Sequence, residues 1–136
     1  MKATASQIPW ALDDGVGTYL PVMQSDITLT QGYRVLIIDA KYYGKMTQTR
    51  FDSHTLHSGN LYQIFTYVKN KEFELRELKH TVSAMILYAQ TDEDVIPNNT
   101  YQMSGNQISV RTLNLNQEFS RIAQTLDDII QNSFNK

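Results

Sequence analysis

The chain has 136 residues, of which 41% are hydrophobic and 19% are charged, and its formal net charge is −2. This length suits one domain with its own core, and no apolar run approaches the ~18 residues of a membrane-spanning helix. The lack of cysteine excludes disulfides and Cys-based zinc sites and is compatible with a cytoplasmic location. A negative net charge also argues against strong DNA binding by the chain alone, because phosphate contacts supply most non-specific affinity.

The first clear elements in chain order are two strands joined by a tight turn. Residues 23–29 alternate polar and apolar side chains, and a second strand follows at residues 33–41. A two-residue hairpin loop at residues 31–32 would join them. The register of that loop makes Asp26 a same-face diagonal neighbour of Asp39, about 7–8 Å away at the backbone. The two carboxylates are therefore expected to converge.

The second strand ends in an acid and a base two positions apart. Side chains alternate faces along a strand, so Ile37, Asp39 and Lys41 project to one side. Charges at the end of a buried strand are costly unless they are compensated, and a metal ion with a phosphate is one compensation. One or two carboxylates with a substrate phosphate can hold Mg²⁺. Asp26 and Asp39 are therefore candidate metal ligands. Lys41 is a candidate to orient a water molecule or to offset charge on the phosphate. A surface salt bridge is the alternative interpretation.

Local positive charge follows this strand, within the polar residues 44–59 that we expect to form a loop. Lys45 and Arg50 are the candidate contacts to a phosphate backbone. The alternative is a solvated loop without a ligand.

A helix is predicted over residues 60–70, with Ser58 as a candidate N-cap. Its apolar residues recur at the spacing of one buried face. Gln63 and Tyr67 share an adjacent face, four residues apart.

The remaining elements complete an α/β pattern. Residues 81–89 have little polar interruption, as expected of a strand covered on both faces. A hairpin is predicted from residues 101–103 and 107–113, and an amphipathic helix from residues 115–134. We expect a mixed β-sheet flanked by helices.

Three sequence blocks carry a resemblance to a known family. They are LPVMQSDI at residues 20–27, IDAKYY at residues 38–43 and NLYQIFTY at residues 60–67. Asp26 followed by Asp39-Ala40-Lys41 resembles the PD-(D/E)xK nuclease signature, with Ser25 in the usual proline position. Together the blocks resemble the catalytic domain of the McrC family, the nuclease subunits of McrBC modification-dependent restriction systems. The resemblance covers roughly residues 10–134.

The resemblance implies a restriction-endonuclease-like fold and Mg²⁺-dependent cleavage of DNA, with Mn²⁺ as a substitute metal. It implies Asp26, Asp39 and Lys41 as catalytic residues, with Gln63 and Tyr67 beside the metal site. GTP would act only through a McrB-like GTPase partner, because the chain itself contains no P-loop. A further N-terminal region that engages this partner in the family is not found here, so we expect a single nuclease domain, excised or truncated.

Two other functions remain open at this point. The chain could be another PD-(D/E)xK nuclease, acting in repair or recombination. It could also be a catalytically silent interaction module that keeps the same fold.

Overall fold

A computed structural model describes residues 1–5, 7–42, 47–50, 53–90 and 97–134 of the chain. The strands are β1 (Lys2–Thr4), β2 (Gln7–Ile8), β3 (Met23–Gln24), β4 (Ile27–Gln31), β5 (Arg34–Lys41), β6 (Thr47–Arg50), β7 (Ser53–Leu56), β8 (Thr81–Ala89), β9 (Asn99–Met103) and β10 (Asn106–Leu113); the helices are α1 (Ser58–Glu74) and α2 (Phe119–Phe134).

Six strands form one mixed sheet in the order β1-β4-β5-β8-β10-β9. The central pairs β5–β8 and β8–β10 are parallel, whereas β1–β4, β4–β5 and β9–β10 are antiparallel. The parallel neighbours β5 and β8 are connected through α1, as parallel strands require a crossover. The predicted mixed α/β architecture is confirmed at this level.

Both faces of the central strands are buried, each under a different helix. On one face Ile37 of β5 packs in a core with Ile64 and Val68 of α1. On the other face Ile38 packs in a second core with Phe134 of α2. Complete burial of one such side chain contributes about 1.5–3 kcal/mol to the free energy of folding. The expectation that β8 is covered on both faces is confirmed, and β5 shares this property.

The hairpin of β4 and β5 forms as predicted, but its loop lies one residue further along the chain. Gln31 pairs with Arg34, so the loop is Gly32-Tyr33 rather than residues 31–32. Gly32 has φ +62°, which suits glycine at the first central position of a type II′ turn. Ile27 therefore lies opposite Ile38, a shift of two residues from the predicted register. An even shift keeps every side chain on its face.

Two further predictions on the way from β5 to α1 were wrong. Residues 44–59 are not all loop, because β6 and β7 pair as an antiparallel hairpin. The helix is longer than predicted, and its N-cap is His57, while Ser58 is its first residue. Strands made of polar residues give a weak sequence signal, and so does an N-cap whose side chain makes no capping hydrogen bond. These two features explain both errors.

The last elements agree in type with the sequence pattern, although α2 begins at Phe119 and not at residue 115. The turn between β9 and β10 uses Ser104 and Gly105, both with positive φ. Helix α2 contributes Phe134, with Ile129 and Ile130 partly buried, to the second core. Within the described ranges no helix is both long enough and apolar enough to cross a membrane.

Candidate active site

The end of β5 carries two charged side chains on the face that packs against α1. Asp39 follows Ile37 on this face and is buried, and Lys41 follows Asp39. The ammonium Nζ of Lys41 lies 2.7 Å from Oδ2 of Asp39, with the two side chains 17% and 7% exposed. The strand thus ends in a largely desolvated ion pair, as its alternation predicts.

Asp26 joins this pair from the neighbouring strand. The chain leaves β3 and bends at Asp26 before it enters β4. Oδ2 of Asp26 accepts a hydrogen bond of 2.8 Å from the backbone N–H of Ala40. If the β4–β5 register continued beyond Ile27 and Ile38, Asp26 would lie directly opposite Asp39. The predicted diagonal relation was wrong by two residues, but the two carboxylates still meet on one face.

Helix α1 supplies the next side chains. Nζ of Lys41 donates a hydrogen bond of 2.9 Å to Oε1 of Gln63. Nε2 of Gln63 in turn donates one of 3.0 Å to the hydroxyl of Tyr67, one helical turn further on. Lys41 is therefore held between a carboxylate of its own strand and an amide of the covering helix.

Burial and like charge act together on Asp39. Desolvation raises the pKa of the Asp39 carboxyl, the nearby Asp26 raises it further, and Lys41 only partly opposes them, so the pKa lies above its usual range. Oδ2 of Asp39 is buried and, apart from the Lys41 ion pair, accepts no directed hydrogen bond within the described chain. A cation between Asp26 and Asp39 would offset the repulsion between the two carboxylates and would give the buried Oδ2 of Asp39 a partner.

The donor set at this position fits a hard divalent cation. In the part of the chain that the structure describes, no three His, Cys, Asp or Glu residues gather as a metal site. Two carboxylates are nonetheless sufficient for Mg²⁺, which keeps several water ligands and takes others from a substrate phosphate. The residues present therefore fit Mg²⁺ with Asp26 and Asp39 as its protein ligands.

The structure leaves two predicted site residues undecided. Lys45 lies outside the described residues, and Arg50 ends β6 with a side chain that is not described. Their contact with DNA stays a prediction.

A buried polar contact beside the site was missed by the sequence analysis. Tyr88 of β8 pairs with Lys41 in the parallel ladder, and its hydroxyl accepts a hydrogen bond of 2.9 Å from Nδ2 of Asn60. Asn60 lies one turn before Gln63 on α1 and is also buried. This contact ties the start of the helix to the sheet. The interruption of an apolar run by tyrosine at position 88 was the available signal.

We expect Tyr88→Phe to lower the free energy of unfolding by about 1–3 kcal/mol, because the buried Asn60 amide loses an acceptor. Urea unfolding of the purified chain measures this. Tyr62→Phe is the matched control, since Tyr62 lies on α1 close to Asn60 and its side chain is 71% exposed. It should change stability by less than about 0.5 kcal/mol. Equal losses in the two variants would contradict a structural role for the Asn60–Tyr88 contact.

The described part of the chain is thus a mixed-sheet α/β protein with two acids and a lysine at the end of a central strand. No family model matches the sequence. A type IV methyl-directed restriction enzyme of Escherichia coli K12, EcoKMcrBC, is 33% identical to the chain over 131 residues. The aligned region is 94% of this chain and 36% of that protein. The resemblance to McrC is confirmed, and the similarity supports a McrC-like C-terminal domain.

Proposed function

We propose that this chain is the DNA-cleaving domain of a McrC-like restriction subunit, a Mg²⁺-dependent endonuclease of restriction-endonuclease-like fold. The observation that carries the proposal is the meeting of Asp26, Asp39 and Lys41 at the end of β5. The similarity to a restriction enzyme supports the class of reaction. The mixed sheet with one helix on each face is compatible with the proposed fold.

In this proposal Asp26 and Asp39 hold Mg²⁺, and Mn²⁺ can replace it. Bound Mg²⁺ would supply positive charge next to the scissile phosphate and so stabilise the negative charge that develops there. The raised pKa of Asp39 supports the assignment, because a buried carboxylate beside a second one favours a cation as neighbour. The hydrogen bond from Ala40 fixes the second carboxylate, that of Asp26.

Lys41 acts on the attacking water or on the phosphate. Its contacts with Asp39 and Gln63 restrict the ammonium to one side of the strand end. Tyr67 restricts the Gln63 amide in the same way. A donor that is held before the substrate arrives needs little reorganisation during the reaction, and this is the main source of electrostatic catalysis. Lys45 and Arg50 are proposed to contact the DNA backbone.

The chain is proposed to work with a second protein. The relative is named as methyl-directed, and we propose that a McrB-like GTPase reads the modified cytosine and supplies the GTP-dependent step. This chain would then contribute only cleavage. Because it spans about a third of the length of the relative, its partner and substrate are proposals for a larger assembly.

The same contacts also fit a catalytically silent domain. An aspartate that accepts Ala40 N–H and a lysine paired with Asp39 could simply stabilise the open end of the sheet. A different PD-(D/E)xK nuclease, acting in repair or recombination, would carry the same three residues as well. Cleavage assays separate these functions.

The decisive experiment combines the protein containing this chain with its GTPase partner on methylated and unmethylated plasmid DNA. We expect cleavage of methylated plasmid with Mg²⁺ or Mn²⁺, and none with EDTA or with Asp39→Asn. Metal-dependent cleavage without the GTPase or methylation would favour the repair or recombination enzyme. Failure of every combination to cut would favour the silent module.

For the isolated chain we expect weak DNA binding that ignores cytosine methylation. Its net charge is −2, and non-specific binding at physiological salt typically has a Kd of about 10⁻⁴–10⁻⁶ M. Titrations of one duplex in methylated and unmethylated form should give Kd values equal within about twofold, both weakening as salt rises. A clear preference for the methylated duplex would place recognition in this chain and contradict the proposed division of labour.

A further inference from the structure

Two buried hydroxyl groups flank Asp26 along the chain. Ser25 is 2% exposed and Thr28 is 3% exposed, although Asp26 and Ile27 between them face solvent. Oγ of Ser25 and Oγ1 of Thr28 lie 2.7 Å apart, within hydrogen-bond distance. The contact closes a four-residue bend whose two ends are buried and whose middle carries the acid. We call this pair of side chains the hydroxyl clamp.

The two halves of the clamp are anchored differently. Thr28 lies in the interior of the sheet, where it pairs with Thr4 of β1 and Ile37 of β5. Ser25 belongs to no strand, since it follows the end of β3 and precedes β4. Main-chain pairing with both neighbouring strands fixes Thr28, and the hydroxyl contact transfers that constraint to Ser25. The bend at Asp26 is thereby tied to the central sheet.

The bend changes the hydrogen-bond partner of Ala40. The last paired residues of the hairpin are Ile27 and Ile38, and two more steps in this register would bring Ser25 opposite Ala40. Instead, the carboxylate of Asp26 accepts the Ala40 N–H at 2.8 Å. A side chain can replace a main-chain acceptor here only while residues 25–28 keep their bend.

We propose that Ser25 and Thr28 are positioning residues that hold the Asp26 carboxylate against the Ala40 amide and beside Asp39. That the hydroxyl clamp holds the bend at residues 25–28 is a claim about conformation alone. Its consequence for metal binding rests on the proposed function. The two statements therefore need separate measurements.

Amide hydrogen exchange of the intact 136-residue chain tests the conformation. Thr28→Val keeps the shape of the side chain and removes its hydroxyl, whereas Thr28→Ser keeps the hydroxyl. We expect the Ala40 amide to exchange about tenfold faster in Thr28→Val, as expected when one net hydrogen bond is lost. In Thr28→Ser it should exchange as in the parent. Ile38, which pairs with Ile27 in the intact ladder, is the internal control and should not change.

A double variant, Ser25→Ala with Thr28→Val, covers the case in which Thr28→Val is simply unstable. Removing both hydroxyls leaves no buried partner unsatisfied, so the double variant should fold with little loss of stability. It should still show faster exchange at Ala40. Parent-like protection of Ala40 in both Thr28→Val and the double variant would overturn the clamp. So would an equal loss of protection in Thr28→Ser.

Calorimetric titration with Mn²⁺ then tests the consequence. If Asp26 is a ligand, the variants that free the Ala40 amide should bind Mn²⁺ about five- to tenfold more weakly than the parent, and Thr28→Ser should not. Faster exchange at Ala40 with unchanged Mn²⁺ affinity would support the clamp and contradict the metal role of Asp26. Failure of the clamp and failure of the proposed metal site are thus distinguishable.

Discussion

Asp39→Ala and Asp26→Ala should each lower the Mn²⁺ affinity of the chain by more than about tenfold and abolish cleavage by the reconstituted complex. Both carboxylates lie at the end of β5, one buried beside Lys41 and one bound to the Ala40 amide. Mg²⁺ gains most of its protein binding from such charged oxygens. Each variant removes one of them, so binding and cleavage should fail together.

Lys41→Ala should separate metal binding from cleavage. It removes a positive charge next to Asp39, so metal binding should stay level or tighten slightly. Cleavage should nevertheless fall by about a hundredfold or more, because catalysis loses a prearranged donor. The measurements are calorimetric Mn²⁺ titration of each variant and plasmid cleavage by the complex.

Asp13→Ala is the matched control, because Asp13 is an exposed aspartate. It should bind metal and support cleavage like the parent. If Lys41→Ala cuts normally, or if both site aspartate variants bind Mn²⁺ as well as the parent, the three residues are a structural salt-bridge cluster.

Lys41→Met should lower the free energy of unfolding of the metal-free chain by about 2–3 kcal/mol at pH 7–8. It leaves the buried Asp39 carboxylate without its ammonium neighbour. Because Lys41 lowers the pKa of Asp39, its removal should raise that pKa further above the usual range. Urea unfolding in EDTA measures the loss as a function of pH.

The direction of the pH dependence follows from the two states of the chain. In the unfolded chain Asp39 ionises near its ordinary pKa of about 3.9, whereas in the folded variant it ionises at a higher pH. Below the lower value both states are protonated, so the loss of stability should be small. In the folded parent Asp39 already ionises above its ordinary pKa, so parent and variant first differ where Asp39 ionises in the folded parent. The loss should therefore grow as the pH rises through the folded-state pKa of the parent and become complete above the higher folded-state pKa of the variant. A loss that is equal at pH 3 and pH 8 would exclude Asp39 as its origin.

The double variant Asp39→Asn with Lys41→Met should lack this pH dependence, because the titrating group is gone. Asp39→Asn alone should be neutral or stabilising by about 0.5–2 kcal/mol in the metal-free chain while it abolishes cleavage. Burial and the neighbouring Asp26 oppose the charge of Asp39. A residue whose removal stabilises the protein but destroys activity is placed for function and not for folding.

Local periodicity was enough to predict which face of the sheet Asp26, Asp39 and Lys41 occupy. Alternation along β5 places Asp39 and Lys41 with Ile37, and this holds in the structure because the strand is regular to Lys41. The apolar run of β8 and the apolar spacing of α1 and α2 were equally direct signals. Even the wrong hairpin register left Asp26 on the correct face, since the error was an even number of residues.

Only the tertiary structure decided which of these side chains meet. The position of Gly32 in its turn set the register of β4, and the break at Ser25 and Asp26 turned a ladder position into a carboxylate contact with Ala40. The packing of α1 on the Lys41 face brought Gln63 to the ammonium, and the parallel register of β8 placed Tyr88 beside it. The physical reason is that periodicity reports burial along one segment, whereas a site requires distances between segments, and these depend on non-local pairing and packing.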